Sequence, residues 1–339
     1  MAIPVIKMAT IGLLPSPLKA FVYRLGGAKI GKGVKFAPFS VLTAKSIEIG
    51  DGCKFGLFTF INARDSIVIG DRAAVNSMVA IDTGTVEIGD DSVIMEQTVI
   101  GGMLTSRSAI KIGKRVKIFP YCFINPTEPI TIDDDVGVGG STYIFTHGTW
   151  KNVLEGYPAA FAPVHIKARV WLPWRVFIMP GVTIGEDVIV AAPSTVTKDI
   201  PDASVAFGSP AKSRPYPSKP LEAGQKLEKL HEIFTEFSDF ERYKGETCET
   251  GELTETGFTV AHSRGKIVVN MNADGHDDAA VLVSIAPIED ARRKALETNG
   301  TVWFDTDVNE AKLSKDPVAI AAFEFMGRYG IRFDRGPGR

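Results

Sequence analysis

"IGDGCKFGLFTFINARDSIVIGDRAAVNSMVAI", residues 49–81, spaces Ile49, Phe55 and Ile61, then Ile69, Val75 and Ile81, six residues apart. The spacing extends outward in both directions. Ile30, Phe36 and Leu42 precede it; Ile88, Ile94, Ile100, then Ile112, Ile118, Ile124, then Ile132, Val138, Ile144, then Ile166, Leu172, Ile178, and finally Ile184, Val190, Val196 follow. Four residues after most anchors stands a small or β-branched residue, such as Val34, Ser40, Cys53, Thr59, Ala73, Val79, Val170, Val176, Val182 and Val188. Two inward positions in six match neither a helical period nor the alternation of a plain amphipathic strand. Short strands that turn a corner after each six residues do match. Three such strands make one triangular coil, and stacked coils bury a continuous aliphatic column. The glycine that often follows an anchor ("IGKG", "IGDG", "IGDR", "IGDD") is expected to supply the backbone freedom of a tight corner. Each buried Ile or Val contributes roughly 1.5–3 kcal/mol before entropy is charged against it. Cys53 and Cys122 fall on small inward positions and are read as core.

Composition sets outer bounds. At 339 residues the chain exceeds one average domain, and two are expected. A net charge of −2 without long runs of one sign excludes the electrostatic footprint of a nucleic-acid binder; an anionic small molecule would need a local basic patch. Cys53, Cys122 and Cys248 are few, odd in number and far apart, so neither a disulfide framework nor a CxxC metal site is expected, and a reducing cytoplasmic setting is. The N-terminal stretch "MAIPVIKMATIGLLPSPLKAFVYRLGG" is interrupted by Pro4, Lys7, Pro15 and Pro17, too broken for a transmembrane segment, and lacks an Ala-x-Ala-like cleavage site. Residues 1–29 are read as a helical cap over the column, with a membrane-surface anchor as the alternative.

Coil starts at Ile30, Ile49, Ile69, Ile88, Ile112, Ile132, Ile166 and Ile184 show two long steps. The smaller excess is "GGMLTSRSA" after Ile100, which either serves a neighbour or covers the surface. The larger contains "THGTWKNVLEGYPAAFAP" after Ile144, and loops on a rigid scaffold are where catalysis concentrates. From there the chain reads "FTHG" at 145–148, "PVHI" at 163–166, "VW" at 170–171, "PGVTIG" at 180–185, "VTKDIP" at 196–201 and "GSPAK" at 208–212. This ordered set resembles the hexapeptide-repeat acyltransferases, in particular the galactoside and maltose O-acetyltransferase branch. The motifs cover about a quarter of the chain, and the repeat extends the likeness over most of the first 215 residues.

The resemblance implies a mainly β fold: a left-handed parallel β-helix of about eight coils over residues 30–214. A linker over 215–226 and a small α+β domain over 227–339 are read from the residues that follow. The resemblance further implies an acyltransferase taking an acetyl or other acyl group from acyl-CoA as cosubstrate to a hydroxyl of a saccharide-type acceptor, in a homotrimer with active sites between subunits. No bound cofactor or metal is expected.

Acyl transfer to a hydroxyl needs a base for the acceptor's proton, and an imidazole with a pKa near 6.5 suits that role. By resemblance His147 is that base. Lys212, Lys198 and Thr197 match positions that meet the coenzyme A phosphates, which supplies the missing basic patch, and Trp174 and Ala192 match positions along the pantetheine arm. Relatives have "WIGG" and "GAGS" where this chain has "WLPW" and "AAPS". Pro173 and Pro193 each lack an N–H that could bond to the pantetheine. Either the prolines merely fit corners, or the donor arm lies differently or carries another acyl group. Asn125, Glu128 and the loop residue Trp150 are assigned to the acceptor side. Glu128, like Asp65, occupies a corner where the repeat prefers a small residue, and both are expected to point outward into solvent. His165 is left as pocket lining or surface.

Beyond the Pro-rich "PAKSRPYPSKP", Leu227, Leu230, Phe234 and Phe237 form an amphipathic helical stripe. "KIVVN", "AAVLVSI" and "TVWFD" read as strands, "IEDARRKALETNG" and "DPVAIAAFEFMGRYG" as helices. "NADGHDD" groups His276 with Asp274, Asp277 and Asp278, a metal-capable set for which a solvated loop is the preferred reading. Rival functions are a noncatalytic β-helix scaffold with a decayed donor site and an N-acyltransferase acting on an amino sugar. A zinc carbonic anhydrase is disfavoured, because only His147 and His165 fall within the repeat.

Overall fold

The six-residue steps become short parallel strands, and the anchors of successive coils face one another in register. The computed structural model describes residues 5–216, 218–275 and 279–335, and the chain divides into two units between Ser218 and Lys219. In the first unit Leu42, Ile61, Ile81, Ile100, Ile124, Ile144, Ile178 and Val196 form one ladder. Ile30, Ile49, Ile69, Ile88, Ile112, Ile132, Ile166 and Ile184 form a second. Phe36, Phe55, Val75, Ile94, Ile118, Val138 and Leu172 form a third. The first two share a 14-stranded sheet and the third belongs to a 10-stranded one. All three ladders feed one buried aliphatic core, in which Ile61, Ile81, Ile100, Ile124, Ile144 and Ile178 are wholly shielded from solvent. Cys53 and Cys122 lie in it as well, and burial pushes both thiols up to about 11.

The corner glycines serve a different purpose from the one their position suggests. A Cβ on Gly50 would fall 2.4 Å from the Asp71 carboxylate and 2.7 Å from the Gly70 carbonyl carbon, and one on Gly70 would fall 2.2 Å from Asp90. These glycines admit the next coil. Left-handed backbone occurs two residues later, at Gly33 and Gly52 and then at Arg72, Asp91, Arg115, Asp135, Arg169 and Asp187. A non-glycine residue there costs on the order of 1 kcal/mol, and paired side chains line the same corner. Arg72 donates to Asp91 at 2.9 and 2.8 Å, Arg115 to Asp135 at 2.8 and 2.9 Å, and Arg169 to Asp187 at 2.7 and 2.8 Å. The Asp of "IGD" caps the preceding coil: Asp51 accepts from Lys32 N–H, Asp71 from Asp51 N–H and Asp90 from Asp71 N–H, at 2.7–2.8 Å.

Before the first strand, helix Ser16–Leu25 starts with Pro17 in its first turn and packs Ala20 and Tyr23 into the same core. The Tyr23 ring lies 5.6 Å from Phe36, and its hydroxyl accepts the Leu42 N–H at 2.7 Å. Lys19 is completely buried. Its ammonium donates to the carbonyls of Gly12, Ala37 and Ser40 and to the Ser40 hydroxyl at 3.0–3.2 Å, while burial lowers its pKa to about 8.

The second unit is a six-stranded mixed sheet in the order Cys248–Thr250, Gly257–His262, Gly265–Asn270, Val281–Ser284, Val302–Asp305, Glu310–Lys312. Its three central strands are parallel and the outer pairings antiparallel. Helix Ala223–Tyr243 buries Leu227, Leu230, Phe234 and Phe237 against Phe258 and Val260, and Leu296 of helix Asp290–Thr298 joins a separate cluster with Leu282 and Trp303. The helix expected from residue 227 begins at Ala223, because Glu222 and Gln225 form a reciprocal capping box. Strands Cys248–Thr250, Gly257–His262 and Glu310–Lys312 were not anticipated from their short, polar-interrupted sequences. Among the described residues no helix is long and apolar enough to cross a membrane.

Candidate active site

The chain leaves the first ladder immediately after Phe145, and a threonine hydroxyl sets the point of departure. Buried Thr146 donates through Oγ1 to the Asn125 carbonyl at 2.7 Å and accepts there from the Glu128 N–H at 2.9 Å. His147–Gly148 then pairs antiparallel with Ala160–Phe161, His147 opposite Phe161, and the Ala162 N–H donates to the Thr146 carbonyl at 3.0 Å. The excursion is thus a two-rung ribbon with a projecting tip. In the tip a single turn at Val153–Glu155 is capped by Asn152, whose side chain accepts the Leu154 N–H at 3.0 Å. Trp150 and Leu154 are 97 % and 92 % exposed.

His147 lies half-buried with its ring stacked on Phe161, centroids 5.9 Å apart and planes inclined at 24°. Its Nδ1 is buried without a hydrogen-bond partner. An imidazole that accepts a proton at Nε2 carries its other hydrogen on Nδ1. His165 is differently placed. It sits on Val164–Ile166, opposite Thr131 on the second ladder, with Nε2 2.8 Å from Asp133 Oδ2.

The residues expected on the acceptor side divide. Asn125 is buried and accepts from the Thr127 N–H and hydroxyl at 3.2 and 2.7 Å. Glu128 is not the solvated carboxylate expected at that corner. It is 4 % exposed, because Arg107 from the "GGMLTSRSA" insertion covers it with two hydrogen bonds of 2.7 and 2.5 Å. The guanidinium holds the Glu128 carboxyl below the usual range. Asp65 does remain half exposed, bonded to Arg64 and Lys45, which bring its pKa down to about 2. Trp150 stands in the loop tip, away from these contacts.

Trp174, Ala192, Thr197, Lys198 and Lys212, the residues expected on the donor side, are all exposed. Strand Val176–Ile178 pairs with Tyr143–Phe145 on one side and Ser194–Val196 on the other, so the segment carrying Thr197 and Lys198 ends the ladder that His147 leaves. The hairpin of Ser204–Gly208 and Ala211–Pro215, with Lys212 opposite Phe207, is tied to that strand. Gly208 N–H donates to Ser194 Oγ at 3.0 Å, and Ser209 Oγ to Thr195 Oγ1 at 2.8 Å. The Trp174 indole lies over Gly140, and both Ala192–Pro193 and Ser209–Pro210 are cis. Outward-facing Phe123, Tyr143, Phe145 and Phe177 form an aromatic stripe along the same ladder, with ring centroids 4.8–6.5 Å apart.

Residues missed from sequence are Arg107, Thr146 and Phe161. Arg107 and Glu128 are one coil apart, 21 residues, a spacing that could have paired them. Phe161 carried no such signal, because its partner depends on how the loop folds back. Among the described residues there is no group of three or more side chains able to hold a metal ion. His276, Asp277 and Asp278 of the proposed metal-capable set lie outside the described residues. His231 and His262 have structural partners, the Gly251 carbonyl at 3.0 Å and Glu241 at 3.3 Å.

No protein-family model matches the chain. By sequence it is 41 % identical over 106 residues to a Staphylococcus aureus protein named "Putative acetyltransferase", covering 30 % of this chain and 53 % of that one. It is 42 % identical over 106 residues to the galactoside O-acetyltransferase of Lactococcus lactis, covering 29 % and 51 %. The chain thus spans about half the length of the curated relatives it matches. Among solved structures it is similar to a hexapeptide-repeat acetyltransferase from Vibrio cholerae, with 28 % identity, TM-score 0.35 and coverage of 39 % of this chain and 74 % of that one. An N-acyltransferase from Bacillus cereus, solved with dTDP and coenzyme A, has 19 % identity and TM-score 0.39, with coverage of 50 % and 90 %.

Proposed function

We propose that this protein is an acyltransferase that moves an acetyl or other acyl group from acyl-CoA to a hydroxyl of a saccharide-type acceptor, with His147 as general base. The observation that carries the reading is the position of His147, where the chain departs from the ladder whose last strand, Ser194–Val196, runs into Thr197 and Lys198. Nε2 takes the acceptor hydroxyl's proton as that oxygen attacks the thioester carbonyl. The tetrahedral oxyanion collapses, the C–S bond breaks, and the imidazolium returns the proton to the leaving thiolate. Thr197, Lys198 and Lys212 meet the coenzyme A phosphates, and Trp174 and Ala192 line the pantetheine arm. Asn125, Glu128 and Trp150 belong to the acceptor side.

The scaffold in this reading is a left-handed β-helix of eight coils over 30–214 under a helical cap that includes Ser16–Leu25. A linker leads from the coils to the α+β domain, whose first helix starts at Ala223. Copies assemble as a cytoplasmic homotrimer, with the exposed loop tip against a neighbouring copy. The sequence relatives named as acetyltransferases support the reaction class. Thermal unfolding with coenzyme A, acetyl-CoA and longer acyl-CoAs tests the donor: a ligand at a hundred times its Kd adds about 2.7 kcal/mol. Stabilisation by an acyl-CoA is expected, and no response to any of them contradicts the donor assignment.

A further inference from the structure

The two insertions that interrupt the repeat are joined. Residues 101–109 fold onto the turn at 125–128 through several contacts. Thr105 Oγ1 donates to the Thr127 carbonyl at 2.9 Å, Ser108 Oγ to the same carbonyl at 3.1 Å, and the Met103 N–H to Thr127 Oγ1 at 3.1 Å. Gly102 approaches so closely that a Cβ there would fall 2.1 Å from Asn125 Oδ1. Arg64, two coils earlier, donates to the Thr105 carbonyl at 2.8 Å. From the turn, the Glu128 N–H and the Asn125 carbonyl grip the Thr146 hydroxyl, one residue before His147.

We propose that Arg107 and Glu128 position His147: the short insertion braces the turn, and the turn fixes through Thr146 the direction in which the base-bearing ribbon leaves the coil. This rests on the reading of His147 as general base. Glu128 then serves the acceptor side as a positioning residue, since its carboxylate is engaged by Arg107 and its backbone N–H by Thr146. The Thr146 hydroxyl is the relay. It has one donor and one acceptor contact to the turn, so its rotamer is set, and the Thr146 carbonyl holds the returning strand at Ala162. A rigid approach matters because a displacement of about 1 Å at a reacting group can cost 10²-fold in rate.

The test measures steady-state acyl-CoA turnover and amide hydrogen exchange for Arg107→Ala, Glu128→Gln, Thr146→Val, Thr146→Ser and His147→Ala. Arg107→Ala, Glu128→Gln and Thr146→Val are expected to lower kcat about ten- to a hundredfold with KM for acyl-CoA unchanged. Exchange should quicken at His147 and Ala162 but not at Ile124 or Ile144. Thr146→Ser, which keeps the hydroxyl, recovers most of kcat. Adding Arg107→Ala to His147→Ala produces no further loss. If His147→Ala lowers turnover while Arg107→Ala, Glu128→Gln and Thr146→Val match the parent, the brace is overturned and the base stands. If His147→Ala itself matches the parent, the underlying reading falls, and the brace with it. Should Arg107→Ala not fold, the near-isosteric Glu128→Gln and Thr146→Val carry the comparison.

Discussion

The indole of Trp174 lies over Gly140 so closely that a Cβ on Gly140 would fall 2.6 Å from the ring. Gly140→Ala must therefore tilt the indole outward. Under the proposed placement of Trp174 along the donor arm, the variant should raise KM for acyl-CoA several-fold while changing kcat little. Overpacking of this kind costs about 1–3 kcal/mol, to be read from urea unfolding. An unaltered KM would separate the indole from the donor.

Ile124 stands in the middle of the first ladder, opposite Ile100 and Ile144, and is wholly buried. Ile124→Ala should destabilise by about 2–5 kcal/mol and Ile124→Val by about 0.5–1.5 kcal/mol. Chemical denaturation checks both, and a loss below 1 kcal/mol for the alanine variant would contradict a close-packed column.

Much of this column was legible in the sequence because its anchors are selected by burial alone: a wholly enclosed position must be apolar wherever the coil returns. Gly50 and Gly70 were noticed for the right reason, their regularity, yet misinterpreted, because the collision they avoid is with a coil some twenty residues onward. Glu128 was misplaced for a related cause. A carboxylate at a corner reads as solvated unless the guanidinium one coil earlier is brought over it, and that requires the fold of the 101–109 insertion. His147 stood out through its motif, whereas the stacking of Phe161 and the grip on Thr146 depend on tertiary pairing. In the second unit, Leu227 to Phe237 announced a helix by periodicity, but Gly257–His262 is broken by polar residues that a strand in a covered sheet can still accommodate.

Lys19 makes stability depend on pH in a particular direction. Burial lowers its folded pKa from 10.5 to about 8, so between these values the unfolded chain binds more protons than the folded one. The folded state therefore gains stability as pH rises from about 8 towards 10.5 and loses it again on return. Lys19→Met removes that slope and takes the ammonium contact away from the Gly12, Ala37 and Ser40 carbonyls. The stability of the parent relative to Lys19→Met should grow between pH 7.5 and 10 in paired denaturation series. A difference that stays flat across this window would mean the ammonium is not held at a lowered pKa.

All three cysteines are free and buried, with Cys53 and Cys122 pushed up to about 11 and Cys248 raised in the same direction by burial. A disulfide reagent at pH 8 should leave the native protein unlabelled and titrate three thiols after unfolding. Rapid native labelling would place at least one of them outside the core.

The central claim is that the ribbon departing at Thr146 delivers a proton-accepting imidazole. The most direct measurement is coenzyme A release from acetyl-CoA by the parent and by His147→Ala, against a panel of saccharide acceptors, with thermal unfolding of both recorded alongside. The account predicts acceptor-dependent release that falls by about 10²–10⁴ in the variant at an unchanged unfolding midpoint. Equal release from the two proteins would contradict it.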